Sequence, residues 1–185
     1  MSEQDPKARL LTKVVDYVAG HGVTGLSLRD LAAAVGTSHR MLIHHFGSKE
    51  GLLVEVVKAV EAQQRQALAE LTAGAGSQDL DAVGTAFWER LTDPALDRQE
   101  RLFFELYGQA LQGRPWATSL LDGIVDDWLV PLRAILPAAD ARLALAVARG
   151  LLLDLLATGD KAAVTTAMRR FQGLLLDTAP AEHPH

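Results

Sequence analysis

Cysteine is absent from the 185-residue chain, and so is any long apolar run. Without cysteine, neither a disulfide framework nor a cysteine-ligated zinc site is possible. The chain has no stretch of about 18 apolar residues, the length needed to span a bilayer, and its polar N-terminus lacks an export signal. We therefore expect a cytoplasmic protein. Hydrophobic residues make up 49% of the chain and charged residues 22%, as in ordinary folded domains.

Enzyme signatures are absent as well. The sequence contains no P-loop, no GxSxG, no HExxH and no dinucleotide-binding fingerprint. Its paired carboxylates, Asp126 and Asp127, are adjacent, so on a helix they would point about 100° apart and make a poor catalytic pair. We therefore expect no enzymatic activity, no cofactor and no metal site.

Patterns typical of β-strands are also missing, whereas apolar residues recur at helical spacing along the chain. We predict an all-α fold of about nine helices, with an N-terminal domain over 1–50 and a larger C-terminal domain over 51–185. The charge distribution favours this division. The first 50 residues carry six Lys or Arg, five acids and four of the six histidines, whereas the remainder carries 12 cations and 18 acids.

The N-terminal domain contains the pattern of a helix-turn-helix. The stretch Ser27-Leu-Arg-Asp30 has the form of a capping box and opens a short helix. Gly36 breaks this helix, and Thr37 or Ser38 caps another that runs to about residue 45. Two short helices across a tight glycine turn predict a helix-turn-helix, a unit that binds duplex DNA.

The second of these helices is predicted to present cations to solvent. At about 100° per residue, Leu42 and Phe46 face the core while Arg40 and His44 point away from it. For His45 we predict a structural role and no contact with DNA. The residues of this helix and its turn that we expect to contact DNA are Thr37, Ser38, His39, Arg40, Met41, Ile43 and His44.

Two helix starts are candidate phosphate anchors. Lys49 lies in the first turn of the next helix, where the macrodipole disfavours a cation, and a bound phosphate would resolve that conflict. Ser27 and Arg29 offer a similar anchor at the start of the first helix of the helix-turn-helix. The alternative for each residue is a solvated surface position with no ligand.

The segment GLSLRDLAAAVGTSHRMLIHHFGSKEGLL resembles the TetR family of transcriptional regulators, in a motif that covers roughly residues 8–55. The stretch GLLLDLLATGD is similar to the penultimate helix of some members. The resemblance implies a homodimer whose recognition helices enter successive major grooves of a palindromic operator, and a repressor that a small ligand releases.

Two positions depart from the family pattern. Ile43 stands where the family commonly has tyrosine, and Met41 where it has a small or hydroxyl residue. Isoleucine cannot donate the phosphate hydrogen bond that tyrosine would supply. Either that contact is lost or Ile43 touches a thymine methyl instead.

In the C-terminal domain we predict helices at roughly 79–92, 96–112, 116–136, 139–157 and 160–177, after a long helix from Ser48 to about Leu71. A pocket between helices is the usual form of a small-molecule site in such a domain. The aromatic candidates for its wall are Trp88, Phe104, Tyr107, Trp116 and Trp128. The alternative is that these rings are simply core.

The last two helices are predicted to form a dimer interface. Asp154 interrupts an apolar run, where an isolated buried carboxylate would be costly, and we expect it to pair within a helix bundle rather than with a ligand. Two such helices from each subunit would bury their apolar faces as a four-helix bundle. The predicted interface residues are Leu152, Leu155, Val164, Ala167, Phe171 and Leu174.

Together these patterns predict a ligand-responsive DNA-binding regulator. It is expected to be a repressor released from its operator when a small apolar molecule binds the C-terminal domain. The alternative is a helical dimeric carrier or scaffold for a small molecule, without sequence-specific DNA binding. Both would share the pocket and the dimer, but only the regulator needs the cationic helix face.

Overall fold

Helices account for most of the chain. A computed structural model of the protein describes residues 5–23, 25–75 and 80–177, and within these ranges it has nine α-helices, two 3₁₀ turns and no strand. The predicted all-α class is therefore confirmed. The helices are α1 (Pro6–His21), α2 (Leu28–Ala34), α3 (His39–Phe46), α4 (Lys49–Ala75), α5 (Leu80–Leu91), α6 (Asp97–Leu111), α7 (Asp126–Arg133), α8 (Ala138–Thr158) and α9 (Lys161–Asp177).

Local capping chemistry sets where several helices begin. The Asp5 carboxylate accepts a hydrogen bond from the Lys7 backbone N–H at 3.1 Å, and Pro6 occupies the first turn of α1, where its missing N–H costs nothing. The Asp160 carboxylate does the same for α9, accepting from the Ala163 N–H at 2.9 Å. These short-range bonds explain why helix starts could be predicted from sequence.

The contacts divide the chain into two compact units. The first unit comprises Met1–Gln64 and Pro94–Ile124, and the second comprises Arg65–Asp93 and Val125–His185. The first unit therefore holds α1, α2, α3, the beginning of α4, and α6. The predicted division into domains over 1–50 and 51–185 is a different division, and it remains a prediction.

The first unit is built on apolar side chains from every one of its helices. Val14 of α1 and Leu31 of α2 are fully buried, and Leu42 of α3 and Leu52 of α4 are 1% exposed. Burying a side chain of this size stabilises the fold by about 1.5–3 kcal/mol. The short helices α2 and α3, which would be marginal alone, are held by this shared core.

The second unit has its own core around α7 and α8. Leu129 of α7 is fully buried there, beside Trp128, Ala141 and Leu145. Polar contacts join its helices: the Lys161 ammonium donates to the Thr92 carbonyl at 2.9 Å. The packing of α8 against both α7 and α9 places the last two long helices side by side.

The predicted helix over 116–136 is wrong. Residues 118–120 form a 3₁₀ turn and only Asp126–Arg133 is α-helical. Gly123 adopts a φ of 75°, in the left-handed region that ends a helix, and Pro131 lacks the N–H that a continuous helix would use. The other helices begin and end close to their predicted positions, although α4 extends to Ala75. No helix among the described residues is both long and apolar enough to cross a membrane.

Candidate nucleic-acid interface

The helix-turn-helix begins with a closed hydrogen-bond pattern at the start of α2. Ser27 Oγ accepts from the Asp30 backbone N–H at 3.1 Å and donates to the Asp30 carboxylate at 2.5 Å. The predicted capping box is therefore confirmed in its serine half, and the aspartate side chain closes on the same hydroxyl. Because this carboxylate is occupied by Ser27, it leaves the neighbouring Arg29 without an ion-pair partner among the described residues.

A glycine turn then joins α2 to α3. The Thr37 N–H donates to the Ala32 carbonyl at 2.9 Å and the Gly36 N–H to the Ala33 carbonyl at 3.4 Å, a pattern that ends a helix with a left-handed residue. Gly36 has a φ of 72°, which explains why glycine occupies this position. The turn satisfies the last carbonyls of α2 and reverses the chain into α3.

The helix α3 is anchored at both ends and along one side. Ser38 Oγ accepts from the Met41 N–H at 3.2 Å, so Ser38 rather than Thr37 is the cap. Leu42 and Phe46 are buried, as their spacing predicted. Because one side of the helix is fixed in the core, the opposite side must face solvent.

The exposed side of α3 is cationic and polar. His39, Arg40 and His44 are exposed, and none of them has an ion-pair partner in the described part of the chain. Met41 is 41% exposed and Ile43 is 37% exposed. Thr37 is half-buried in the turn and Ser38 is exposed at the cap, and both precede the helix.

Lys49 makes a contact within the chain that the sequence did not predict. Its ammonium donates to the Leu26 backbone carbonyl at 2.5 Å, and the residue is half-buried. This bond resolves the unfavourable position of a cation in the first turn of α4 without any bound anion, and it joins the start of α4 to the residue before Ser27. A phosphate contact by the remaining ammonium donors stays a prediction.

The junction of α3 and α4 is tightly packed. Ser48 Oγ caps α4 by accepting from the Gly51 N–H at 3.0 Å. A Cβ at Gly51 would collide with the Phe46 backbone carbonyl oxygen. Only glycine fits there, and the first turn of α4 therefore packs directly against the end of α3.

Two cations that were not predicted as site residues brace α1. The Arg98 guanidinium of α6 donates to the Gly20 carbonyl at 2.5 Å, at the negative end of α1. The Lys7 ammonium lies 3.1 Å from the Glu55 carboxylate and 5.6 Å from the centre of the Phe46 ring. Arg98 carries the same sequence signal as Lys49, a cation in the first turn of a helix, and could have been found by it.

The five aromatic candidates for a ligand pocket belong to different units. Phe104, Tyr107 and Trp116 lie in the first unit and Trp88 and Trp128 in the second. Trp88 and Trp128 are 4% and 6% exposed, and the Trp88 indole N–H donates to Thr165 Oγ1 at 3.2 Å, so both are packed as core side chains. Their role in binding a ligand remains a prediction.

A small cavity lies between α4 and α6 in the first unit. Its volume is ≈ 10 Å³, enough for about one water molecule and far below the size of an organic ligand site. The buried Gln99 side chain lines it, and its Oε1 has no hydrogen-bond partner. Among the described residues, no group of three or more acidic, histidine or cysteine side chains is placed to hold a metal ion.

The predicted interface residues of α8 and α9 do not all point outwards. Leu152 and Val164 are 6% and 1% exposed, because they face the core of their own unit. Leu155 and Phe171 are half-buried and Ala167 is exposed. Leu174 is 48% exposed, as is Leu143, and the unpredicted Leu153 is 53% exposed. On α8 the exposed apolar surface thus lies beside the predicted one, whereas on α9 it includes the predicted Ala167 and Leu174.

Comparison with known proteins places this arrangement in a family. A family model described as bacterial regulatory proteins of the tetR family matches residues 16–56, which contain α2, the glycine turn, α3 and the Gly51 junction. The helix-turn-helix segment of this chain is therefore of the TetR-family type. The resemblance to this family, predicted from the motif over roughly residues 8–55, is confirmed, and α3 lies where the recognition helix was predicted.

A curated relative and several solved structures are similar to this chain. The HTH-type transcriptional regulatory protein RaaS of Mycobacterium tuberculosis is 47% identical over 45 residues, which are 24% of this chain. That segment spans about a fifth of the relative's own length, at 21%. The likeness therefore concerns about a quarter of this chain.

Solved structures extend the likeness in fold to almost the whole chain. A transcriptional regulator from Rhodococcus sp. Rha1 has a TM-score of 0.73 at 20% identity, covering 97% of this chain and 100% of that one. The multidrug binding protein EbrR, solved with imidazole, has a TM-score of 0.68 at 22% identity, covering 97% and 94%. A TetR-family transcriptional regulator from Pectobacterium atrosepticum has a TM-score of 0.68 at 22% identity, covering 92% and 91%. These likenesses establish the fold.

Proposed function

We propose that this TetR-family protein is a DNA-binding transcriptional repressor that acts in the cytoplasm and catalyses no reaction. The observation that carries the proposal is the exposed face of α3, on which His39, Arg40 and His44 have no ion-pair partner among the described residues while Leu42 and Phe46 hold the helix in the core. Arginine in the major groove reads guanine through two hydrogen bonds, and histidine can donate to the same acceptors.

The surroundings of α3 fit docking on a duplex. Arg29 and Ser27 at the start of α2 are exposed and would meet the phosphate backbone, as would Ser38 and Thr37 at the turn. Met41 and Ile43 would supply apolar contacts to the groove, for example to thymine methyl groups. Phosphate contacts would fix the orientation of α3, and base contacts would give sequence preference.

A palindromic operator requires two copies of this helix. We propose a homodimer through α8 and α9, whose exposed leucines need cover. We further propose that a small apolar molecule binds the C-terminal domain and shifts the dimer to a form in which both recognition helices cannot enter their grooves. The fold shared with EbrR, a multidrug binding protein, supports a ligand site in this domain.

The DNA-binding proposal is tested by selecting bound sequences from random duplex DNA and measuring affinity for the selected site. Arg40→Ala should weaken binding by roughly 5- to 150-fold and relax preference at one base position, because a base contact is worth about 1–3 kcal/mol. Arg29→Ala should weaken all duplexes similarly and lower the slope of log affinity against log salt by about one. Arg133→Ala, an exposed arginine of α7, is the matched control and should change neither.

The same experiment separates the regulator from a carrier. A carrier would select no sequence and would bind every duplex equally weakly, with or without Arg40. Lys49→Ala needs a thermal melt beside the binding assay, because losing its bond to Leu26 would destabilise the helix-turn-helix as well as remove a charge.

The sensing part is tested separately by a ligand screen on the protein–operator complex. A ligand that weakens operator binding tens-fold must prefer the released form by about 2 kcal/mol. By linkage, operator DNA must weaken ligand binding by the same factor. A ligand that binds the C-terminal domain tightly and leaves operator affinity unchanged contradicts the sensing proposal but not the DNA-binding one.

A further inference from the structure

Lys7 is a cation in the first turn of α1, where the macrodipole disfavours positive charge and no acid lies in the same turn. Its ammonium is held by another helix, since it lies 3.1 Å from the Glu55 carboxylate of α4. Lys49 and Arg98, also in first turns, likewise bond outside their own helices. The unfavourable position of Lys7 is thus offset by a contact between α1 and α4.

The same ammonium also reaches the last residue of α3. The Lys7 Nζ lies over the Phe46 ring, 5.6 Å from its centre. A cation within about 6 Å of the centre of an aromatic ring is attracted by the negative face of the ring. Phe46 is buried, so its ring is fixed among core side chains. One side chain of α1 therefore joins α4 to the C-terminal end of α3.

Glu55 is an acid in the second turn of α4, the helix that begins just after α3. An acid in a DNA-binding unit repels the phosphate backbone and works against binding. Lys58, three residues further along α4, is within reach of Glu55 on the same helix surface. The ion pair that Glu55 makes is nonetheless with Lys7. Its carboxylate thus serves a contact between helices.

We propose that Lys7 and Glu55 position α3 for DNA: the ion pair holds the Lys7 ammonium over the Phe46 ring and so fixes the C-terminal end of α3 against α1 and α4. This role rests on the DNA binding proposed above and adds two residues that act without touching the duplex. The other end of α3 is fixed by the Ser38 cap, and its middle by Leu42 in the core. Lys7 completes the support of a helix only 8 residues long.

The size of the effect is bounded by the strength of the two contacts. A partly exposed ion pair and a cation–ring contact each change an equilibrium constant by up to about fivefold. If their loss lets α3 leave the orientation that fits the groove, affinity falls in proportion to the fraction of molecules that keep it. Only affinity for the selected sequence should fall, because attraction to the phosphates of any duplex depends on charge and not on the orientation of α3.

Glu55→Gln decides between two explanations that predict opposite signs. Positioning predicts binding to the selected operator weakened by about two- to fivefold, because the ion pair is lost. If the carboxylate acted only by its charge, its removal would strengthen binding to every duplex. Glu50→Gln is the matched control, with the same change at an exposed acid in the first turn of α4 that has no ion pair among the described residues. It should bind the operator as tightly as wild type or more tightly.

Substitutions of Lys7 test the other half of the pair. Lys7→Gln removes both contacts and should weaken operator binding by about three- to tenfold, while affinity for random duplex stays within about twofold of wild type. Lys7→Arg keeps a cation for the carboxylate and the ring, and should restore operator binding to within about twofold of wild type. The double variant Lys7→Gln/Glu55→Gln should bind like Lys7→Gln alone, because Glu55 acts through Lys7.

Fluorescence anisotropy with labelled operator and labelled random duplex gives these affinities and their salt dependence. The titrations are run well below the melting transition of each variant, which circular dichroism supplies. A variant that had lost only stability would still be folded at that temperature and would bind the operator as wild type does. A lower ratio of operator to random-duplex affinity therefore reports the orientation of α3.

Two results overturn the positioning role and leave the DNA-binding proposal standing. One is that Glu55→Gln binds the selected operator at least as tightly as wild type. The other is that Lys7→Gln weakens all duplexes alike and lowers the slope of log affinity against log salt by about one, which makes Lys7 a phosphate contact. A wild-type chain that selects no sequence refutes DNA binding itself and the positioning role with it, so the two failures are distinguishable.

Discussion

Gly51→Ala is the substitution for which the structure gives the clearest magnitude. Alanine is about 1 kcal/mol more favourable than glycine in a helix interior, and in the first turn, where Gly51 lies, α4 alone would gain at most that amount. The new Cβ, however, would collide with the Phe46 carbonyl oxygen. That oxygen is part of the backbone at the end of α3 and cannot move as the end of a flexible side chain could.

Relieving this collision requires α3 and α4 to separate, with loss of packing around the buried Phe46 side chain. Overpacking of this kind typically costs 1–3 kcal/mol, and against a rigid backbone atom the cost should lie at the upper end. After the gain in helix propensity, we expect a net loss of about 2 kcal/mol. For a chain of 185 residues this corresponds to a melting temperature lower by about 4–8 °C.

Gly108→Ala in α6 is the matched control in the same unit. Nothing lies within 4 Å of the position its Cβ would take, so the propensity gain should appear alone, as a melting temperature raised by up to about 2–4 °C. Thermal unfolding followed by circular dichroism compares the two variants with wild type. A Gly51→Ala protein that melts at or above the wild-type temperature refutes the claim that glycine is required at the α3–α4 junction.

Three further substitutions test single hydrogen bonds. Ser38→Ala removes the cap of α3 and should cost about 1 kcal/mol, measured as a lower urea midpoint with an unchanged slope. Arg98→Gln weakens the contact at the end of α1, at a cost of about 0.5–1 kcal/mol that should shrink in high salt; a salt-independent loss would mean that packing, not charge, is responsible. Thr165→Val leaves the Trp88 indole N–H without its acceptor and should cost about 1–2 kcal/mol, while Thr165→Ser should keep most of the stability.

Most of the helix-turn-helix could be predicted from the sequence because its determinants are local. The capping serines of α2 and α3 act on backbone groups three residues away, and the glycine turn bonds to carbonyls at most five residues back. Interactions this short depend on residue identity and spacing alone. The inward direction of Leu42 and Phe46 follows equally from helical periodicity.

The loop after α6 shows where such local rules fail. Apolar spacing over 116–136 is compatible with a helix, but the chain forms turns until Val125, with Gly123 in the left-handed region. Helix propensity is a weak preference that packing overrides. In this segment Ala117 and Leu120 are buried at 0% and 2% exposure, at a spacing that a helix would also allow.

By itself, the sequence determined the helical class, the helix starts and the order of side chains around each helix. Only the tertiary structure decided which residues meet over long separations: Lys49 bonds to a carbonyl 23 residues away, and Arg98 to one 78 residues away. It also decided the rotation of α8 and α9, turning Leu152 inwards and Leu153 outwards. The physical reason is that periodicity sets the angles between side chains on one helix, whereas the rotation of that helix depends on the packing of distant parts of the chain.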